Sequence, residues 1–224
     1  TAPVGWVNDP NGLYWREGKW NMFYQHNPFG CSWGNISWGH ATSDDLVNWE
    51  YHDDVILPDE RGLMFSGGAY IDRGNKSGLQ NGNDCPILLF YTCAGNYTLM
   101  SQGNSHSQCM AVSLDGGKTF NKSDLNPVLA ENYTQDNRDP DVFWEDEHQQ
   151  WVMALFLFNQ EFCILTSPDL VSWKLSDRFI IENCEECPDM FRLPVENSEN
   201  EYKWVIMGAN SVYIVGDWNG EKFI

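Results

Sequence analysis

Three stretches of the chain set a carboxylate beside a proline at the entrance to an apolar run: Trp6-Val7-Asn8-Asp9-Pro10-Asn11-Gly12-Leu13-Tyr14-Trp15, Arg138-Asp139-Pro140-Asp141-Val142-Phe143-Trp144 and Glu186-Cys187-Pro188-Asp189-Met190-Phe191. Taken singly, Asp-Pro-Asn-Gly is a turn: Pro pre-sets φ, Asn and Gly tolerate φ > 0, and Asp bonds the backbone two residues on. The threefold recurrence asks for more than a turn. If Asp9, Asp139 and Glu186 meet in one place they cannot all ionise, so one keeps its proton, and a protonated acid beside a carboxylate is the equipment of acid/base and nucleophilic catalysis.

Positioning three such groups requires a repeat, and the chain contains one. Ser43-Asp44-Asp45-Leu46-Val47-Asn48-Trp49, Ser113-Leu114-Asp115-Gly116-Gly117-Lys118-Thr119-Phe120 and Ser167-Pro168-Asp169-Leu170-Val171-Ser172-Trp173 rhyme. Each follows a short apolar run and ends in an aromatic residue, which reads as strand, Asp-centred turn, strand. Two further β-rich runs lie upstream of each, so the unit has four strands. The first unit reads 12–15, 20–25, 38–42 and a strand near Trp49; the second 68–71, 87–93, 109–113 and 120 onward; the third 141–144, 151–156, 162–166 and a strand near Trp173. A fourth reads 190–193, 202–207, 212–215 and a return near Phe223. No stretch sustains a 3.6-residue apolar period, so the expected fold is all-β, a propeller with about four blades in this chain. With first strands innermost, the three carboxylates converge at one mouth of the axial channel.

Composition narrows the partners. Among 224 residues the formal charge of −19 disfavours nucleic acid and anionic membranes, leaving a neutral substrate easier to accept. No run is long and apolar enough to span a bilayer, and no leader precedes Thr1. Aromatics make up 14%, with eleven Trp, material both for a β core and for apolar platforms under sugar rings. Seven cysteines (31, 85, 93, 109, 163, 184, 187) permit some disulfides without forming a framework, and the lone Cys184-Glu185-Glu186-Cys187 is a weak zinc pattern. Sequons at Asn35, Asn75, Asn96, Asn121 and Asn132 point to a secreted glycoprotein, with a cytoplasmic location as the alternative. His26 and His40 have no metal-ligand spacing and are read as structural donors.

At the carboxylate motifs the sequence resembles glycoside hydrolase family 32, the invertase, inulinase and levanase family. Trp6 to Gly12 is similar to that family's opening signature, Phe65-Ser66-Gly67-Gly68 to its second-blade motif, Arg138-Asp139-Pro140 to its third, and Glu186-Cys187-Pro188 to its acid/base motif. Phe23-Tyr24-Gln25-His26-Asn27-Pro28 and the run from Trp33-Gly34 to Trp38-Gly39-His40 sit where the family has them. Val7 replaces the usual Met, and Glu185 stands where an aromatic is frequent; the adjacent Cys-Pro marks Glu186 as the acid. The resemblance covers residues 1–224 and implies the N-terminal catalytic domain of a five-bladed propeller, with the last blade and a C-terminal β-sandwich expected outside this stretch.

The resemblance further implies a β-fructosidase acting on sucrose or fructans such as inulin and levan, with no metal and no cofactor. Asp9 is the implied nucleophile, Glu186 the general acid/base and Asp139 the group that stabilises the transition state. Asn8, Gln25, Trp33, Phe65, Ser66 and Arg138 are implied around the fructosyl unit. Retention of configuration is then expected, with the two principal carboxyls about 5 to 5.5 Å apart. Two other functions are the alternatives to this one: an inverting five-bladed glycosidase on arabinosides or xylosides, and a propeller that binds carbohydrate without chemistry.

Overall fold

The computed structural model describes residues 2–130, 132–198 and 201–224. Among them there are sixteen strands and no helix: β1 (Trp6–Arg16), β2 (Lys19–Asn27), β3 (Ser37–Ser43), β4 (Glu50–Ile56), β5 (Leu63–Met64), β6 (Ala69–Ile71), β7 (Ile87–Ala94), β8 (Ser107–Ser113), β9 (Asn121–Lys122), β10 (Arg138–Glu145), β11 (Gln150–Phe158), β12 (Glu161–Ser167), β13 (Lys174–Ile180), β14 (Asp189–Pro194), β15 (Tyr202–Met207) and β16 (Tyr213–Gly216). They form four antiparallel sheets in which neighbours in sequence are neighbours in space, β1 to β4, β5/β6 to β9, β10 to β13 and β14 to β16. These are four blades of a β-propeller.

Period-two alternation builds the stack. On β7, Ile87, Leu89 and Tyr91 pack with Tyr14, Phe23 and Trp38 of the first blade, while Leu88 and Phe90 on the opposite face pack with Met153, Leu155 and Leu165 of the third. β11 repeats the device, sending Val152, Ala154 and Phe156 towards Met190 and Ile206 of the fourth. A strand buried on both faces reads as a continuous apolar run, and the central strands Ile87–Ala94 and Gln150–Phe158 do so.

The rhyming phrases are one turn made three times. Ser43, Ser113 and Ser167 each donate from Oγ to the Asp two residues on, at 3.1, 2.8 and 3.1 Å. That Asp in turn accepts backbone N–H groups of the following turn, for instance Asn48 to Asp45 Oδ1 at 2.7 Å and Ser172 to Asp169 Oδ1 at 2.7 Å. These bonds favour the ionised form, holding Asp45, Asp115 and Asp169 below the usual carboxylate range.

Three local differences from the sequence reading bear on the site. β1 starts at Trp6, not Gly12, so Asp9 lies inside a strand whose register is broken between Val7 and Pro10 and again between Asn11 and Tyr14. Pro10 is tolerated because β1 is the edge strand of its blade, and the bulges re-aim the side chains that a regular pleat would alternate. The first strand of the second blade is split into β5 and β6, both paired with β7, because Phe65 to Gly68 makes a one-residue excursion from register while still bonding β7 through Phe65 N–H to the Thr92 carbonyl (2.8 Å) and Phe90 N–H to the Gly68 carbonyl (2.9 Å). A Cβ on Gly67 would clash with the Phe90 carbonyl oxygen, so this excursion needs glycine there. Finally, the outer strand of the second blade shrinks to Asn121–Lys122.

All seven cysteines are free; Cys184 is buried in the apolar cluster between the third and fourth blades, and Cys187 faces the channel. His26 bridges Asp54 (2.7 Å) and the Val4 carbonyl (3.0 Å), and His40 meets Asn21 Oδ1 at 3.0 Å while stacked on Phe23, both structural placements. The five sequon asparagines are all exposed.

Candidate active site

The innermost strands deliver acidic side chains to one pocket of about 290 Å3. Its walls include Asn8, Asp9, Gln25, Trp33, Phe65, Arg138, Asp139 and Glu186. Of the nine residues singled out from the sequence, Ser66 alone is not on that wall; it sits behind Asp9, 2% exposed. Glu186 lines the pocket and Glu185 does not.

A chain of side-chain hydrogen bonds runs from the rim to Asp9. Trp6 Nε1 donates to Asn8 Oδ1 (3.2 Å), Asn8 Nδ2 to Gln25 Oε1 (2.6 Å), Gln25 Nε2 to Ser66 Oγ (2.6 Å), and Ser66 Oγ to Asp9 Oδ2 (2.7 Å). Asn8 and Gln25 each accept at the amide oxygen and donate from the amide nitrogen, and Ser66 accepts and donates at Oγ, so all three are fixed in orientation. Oδ2 of Asp9 is held, and Oδ1 accepts no side-chain hydrogen bond among the described residues. We expect Ser66→Ala to lower kcat/KM by roughly 10- to 100-fold and to lower stability by about 1–3 kcal/mol, because Gln25, only 4% exposed, is left with an unmatched buried donor. Steady-state kinetics with a denaturant titration checks this, and restoration of both by Ser66→Thr would confirm that the hydroxyl is responsible.

Arg138 organises the other wall. Its guanidinium pairs with Asp136, approaches Asp139 Oδ2 and Glu186 Oε1 at 3.4 Å each, and lies 4.5 Å from the centroid of the Phe156 ring. Asp139 is buried, at 4% exposure. Burial pushes its carboxyl up to about 7; Arg138 and the Cys187 N–H (3.3 Å from Oδ2) oppose the rise, and the charges of Glu186 and Asp9 add to it. The crowded carboxylates thus do yield one raised acid, but burial rather than mutual repulsion is the main cause.

The backbone is strained where the chemistry sits. Asp139 (φ 60°), Glu186 (φ 54°) and Cys187 (φ 43°) are all left-handed, a conformation that costs non-glycine residues on the order of 1–3 kcal/mol each at special sites. Asp139 is held from the second blade, and Glu186 from a loop of its own blade. Asp139 N–H donates to Thr92 Oγ1 (2.9 Å), Thr92 donates to Gln108 Oε1 (2.6 Å), and Gln108 Nε2 donates to the Asn137 carbonyl (3.2 Å). The Glu186 carbonyl accepts from Ala209 at 3.2 Å.

Sequence reasoning missed Asp136 and Tyr97, which also line the pocket. Asp136 could have been found as the acid two residues before Arg138. Tyr97 lies in a Gly-, Asn- and Ser-rich insertion that carries no code; in space it meets Trp33 and Phe65 at centroid distances of 5.5 and 5.3 Å, completing an aromatic rim. Oxygens of Asp139 and Glu186 and the sulfur of Cys187 lie within 4.8 Å of one another, a donor set of metal-binding size. Arg138 already places a positive charge against both carboxylates.

Stacked antiparallel blades that bring three carboxylates and an arginine to one axial pocket define a propeller with an acid site at its mouth. The chain belongs to glycosyl hydrolase family 32, whose N-terminal domain it matches over residues 1–224. It is 37% identical to a levanase of Bacillus subtilis, with all of this chain aligned to 34% of that protein, and 38% identical to an invertase of Wickerhamomyces anomalus, covering 44% of it. Among solved structures, a fructofuranosidase from Schwanniomyces occidentalis complexed with fructose superposes with a TM-score of 0.86 at 34% identity over 100% of this chain and 46% of that one. An exo-inulinase from Aspergillus awamori gives 0.84 at 36% over 99% and 50%. The chain therefore spans about a third to a half of the length of these relatives.

Proposed function

We propose that the protein of which this chain is the propeller hydrolyses β-fructosidic bonds in sucrose or fructans by double displacement with retention. The carrying observation is the single pocket shared by Asp9, Asp139 and Glu186. Asp9 Oδ1 attacks the anomeric carbon of the fructosyl unit while Glu186 gives a proton to the departing glycosidic oxygen; a covalent fructosyl-enzyme results. Water then attacks the same carbon as Glu186 takes its proton, and Asp9 leaves. Asp139, fixed by Arg138 and the Cys187 N–H, meets fructosyl hydroxyls whose hydrogen bonds strengthen as positive charge develops. Trp33, Phe65 and Tyr97 wall the ring.

Family membership and the levanase, invertase and exo-inulinase relatives support this reading. One of those relatives is an extracellular exo-inulinase, and with five exposed sequons this supports a secreted location. The family fold also leads us to place a fifth blade and a sandwich beyond residue 224. Incubation of the intact protein with sucrose, inulin and levan should release fructose, and NMR of the first product should show the β anomer. Release of the inverted anomer, or turnover of arabinosides or xylosides alone, would overturn the proposal.

A further inference from the structure

The channel has a second mouth. β1, β6 and β10 lie side by side along the axis. Their leading ends carry the acid site, and their trailing ends carry Trp15, Ile71 and Trp144. At about 3.3 Å per residue, the run from Asp9 to Trp15 sets the two mouths roughly 15–20 Å apart. The trailing ends surround an open recess of about 500 Å3, lined by Trp15, Tyr70, Trp144, Arg73, Lys76 and Asp146 among others.

The recess is walled by one exposed ring, Trp15, and by two partly buried ones, Tyr70 and Trp144, that pack against the core. Trp15 is 43% exposed and leans on Trp20 at 5.1 Å. Trp144 stands edge-on to Trp151 (5.5 Å) and donates from Nε1 to Asp146 at 3.0 Å, with Lys76 Nζ 4.8 Å from its ring centroid. Tyr70 also meets Trp151 edge-on at 5.3 Å. Around these rings are polar groups with capacity to spare. The exposed guanidinium of Arg73 forms no ion pair among the described residues.

The exposed Trp15 ring beside the Arg73 and Lys76 donors and the Asp146 carboxylate matches a sugar, whose C–H face stacks on a ring while its hydroxyls bond around the edge. An anion would meet Asp146 and a molecule of formal charge −19, and would leave the rings unused. We propose that the far mouth is a second carbohydrate-binding site, which holds a stretch of fructan away from the pocket that cuts it; the choice of fructan rests on the fructosidase reading above. Holding the polymer there raises its effective concentration at the catalytic mouth without touching the chemistry.

The test is affinity electrophoresis of the intact protein in native gels containing levan or inulin. An Asp9→Asn background keeps the polymer uncut, and Trp15→Ala and Arg73→Ala are added singly. Both are expected to reduce the retardation several-fold. In the active background they should raise KM for levan several-fold and leave kcat and KM for sucrose unchanged. Arg73→Ala has no ion pair to lose, so it decides the matter if Trp15→Ala melts early. Retardation and levan KM equal to the parent's in well-folded variants would overturn the proposal. If instead the wild type cuts no fructoside, the catalytic reading fails, and polymer retardation that depends on Trp15 would still stand.

Discussion

Asp9→Asn is expected to abolish fructoside hydrolysis, with a loss on the order of 10^4-fold or more, while the protein melts within a few degrees of the parent. The size of the kinetic loss follows from the step removed: an amide cannot form the acyl-linked fructosyl intermediate, and only binding and the remaining electrostatics are left to act on the bond. Preservation of the fold follows from the partners. Among the described residues the one side-chain hydrogen bond of Asp9 is as an acceptor from Ser66 Oγ, and the Asn carbonyl accepts it equally well. The relay through Gln25 and Asn8 therefore survives. Parallel assays of turnover and thermal melting check both halves. A folded Asp9→Asn protein with ordinary turnover would move the nucleophile to another carboxylate. A mechanism-based fluorofructoside should label the parent at Asp9 and leave the variant unlabelled.

How far the site could be read from the sequence depends on how local each determinant is. The four-stranded repeat was legible because its signal is local: alternation within strands, and an Asp-centred turn whose hydrogen bonds span only a few residues. Every central strand was located within a few residues. The inner strands were less legible where the site bends them. Asp9-Pro10-Asn11-Gly12 reads as a turn because its residues are turn residues, yet it lies in the bulged edge strand β1 paired with β2. Similarly, the strand read as 68–71 has a further piece, Leu63–Met64, before it, and the residues between shift register against β7 where Ser66 meets Asp9. Both departures serve the pocket. The left-handed backbone at Asp139 and Glu186 was invisible in the sequence, since neither residue type announces it; the support comes from Thr92, Gln108 and Ala209, distant in sequence. Tyr97 was invisible for the same reason: only the packing of its insertion against Trp33 and Phe65 gives it a place.

Asp139→Asn is expected to cost about 10^2- to 10^3-fold in turnover, by analogy with removal of one preorganised hydrogen-bonding group, and to change stability in a pH-dependent way. In the unfolded chain Asp139 ionises at the usual value of 3.8; in the fold, burial holds it up to about 7. Between these values the native state binds the extra proton, so the contribution is fully present below about pH 4 and is lost as pH rises through about 7. Asp141, also pushed up by burial to about 8, acts in the same direction, and its hydrogen-bonded neighbour Asp189 is raised as well. The turn carboxylates have the opposite sign. Asp115, held down at about 2 first by the Thr119 hydroxyl, supports the fold above about pH 4 and ceases to as pH falls towards 2. Stability should thus be greatest near pH 4 to 5 and decline towards pH 8. An Asn at position 139 is neutral at every pH and resembles the protonated acid, so it should melt with the parent at pH 4.5. At pH 8 it should gain on the order of 4 kcal/mol, the full displacement of that carboxyl. Arg138 keeps Asp136 and Glu186 as partners in the variant, so the comparison isolates the burial of one charge. Melting curves for parent and variant from pH 4 to pH 8 read the difference directly; a gap that is the same at both ends would show that Asp139 titrates as an ordinary exposed carboxylate.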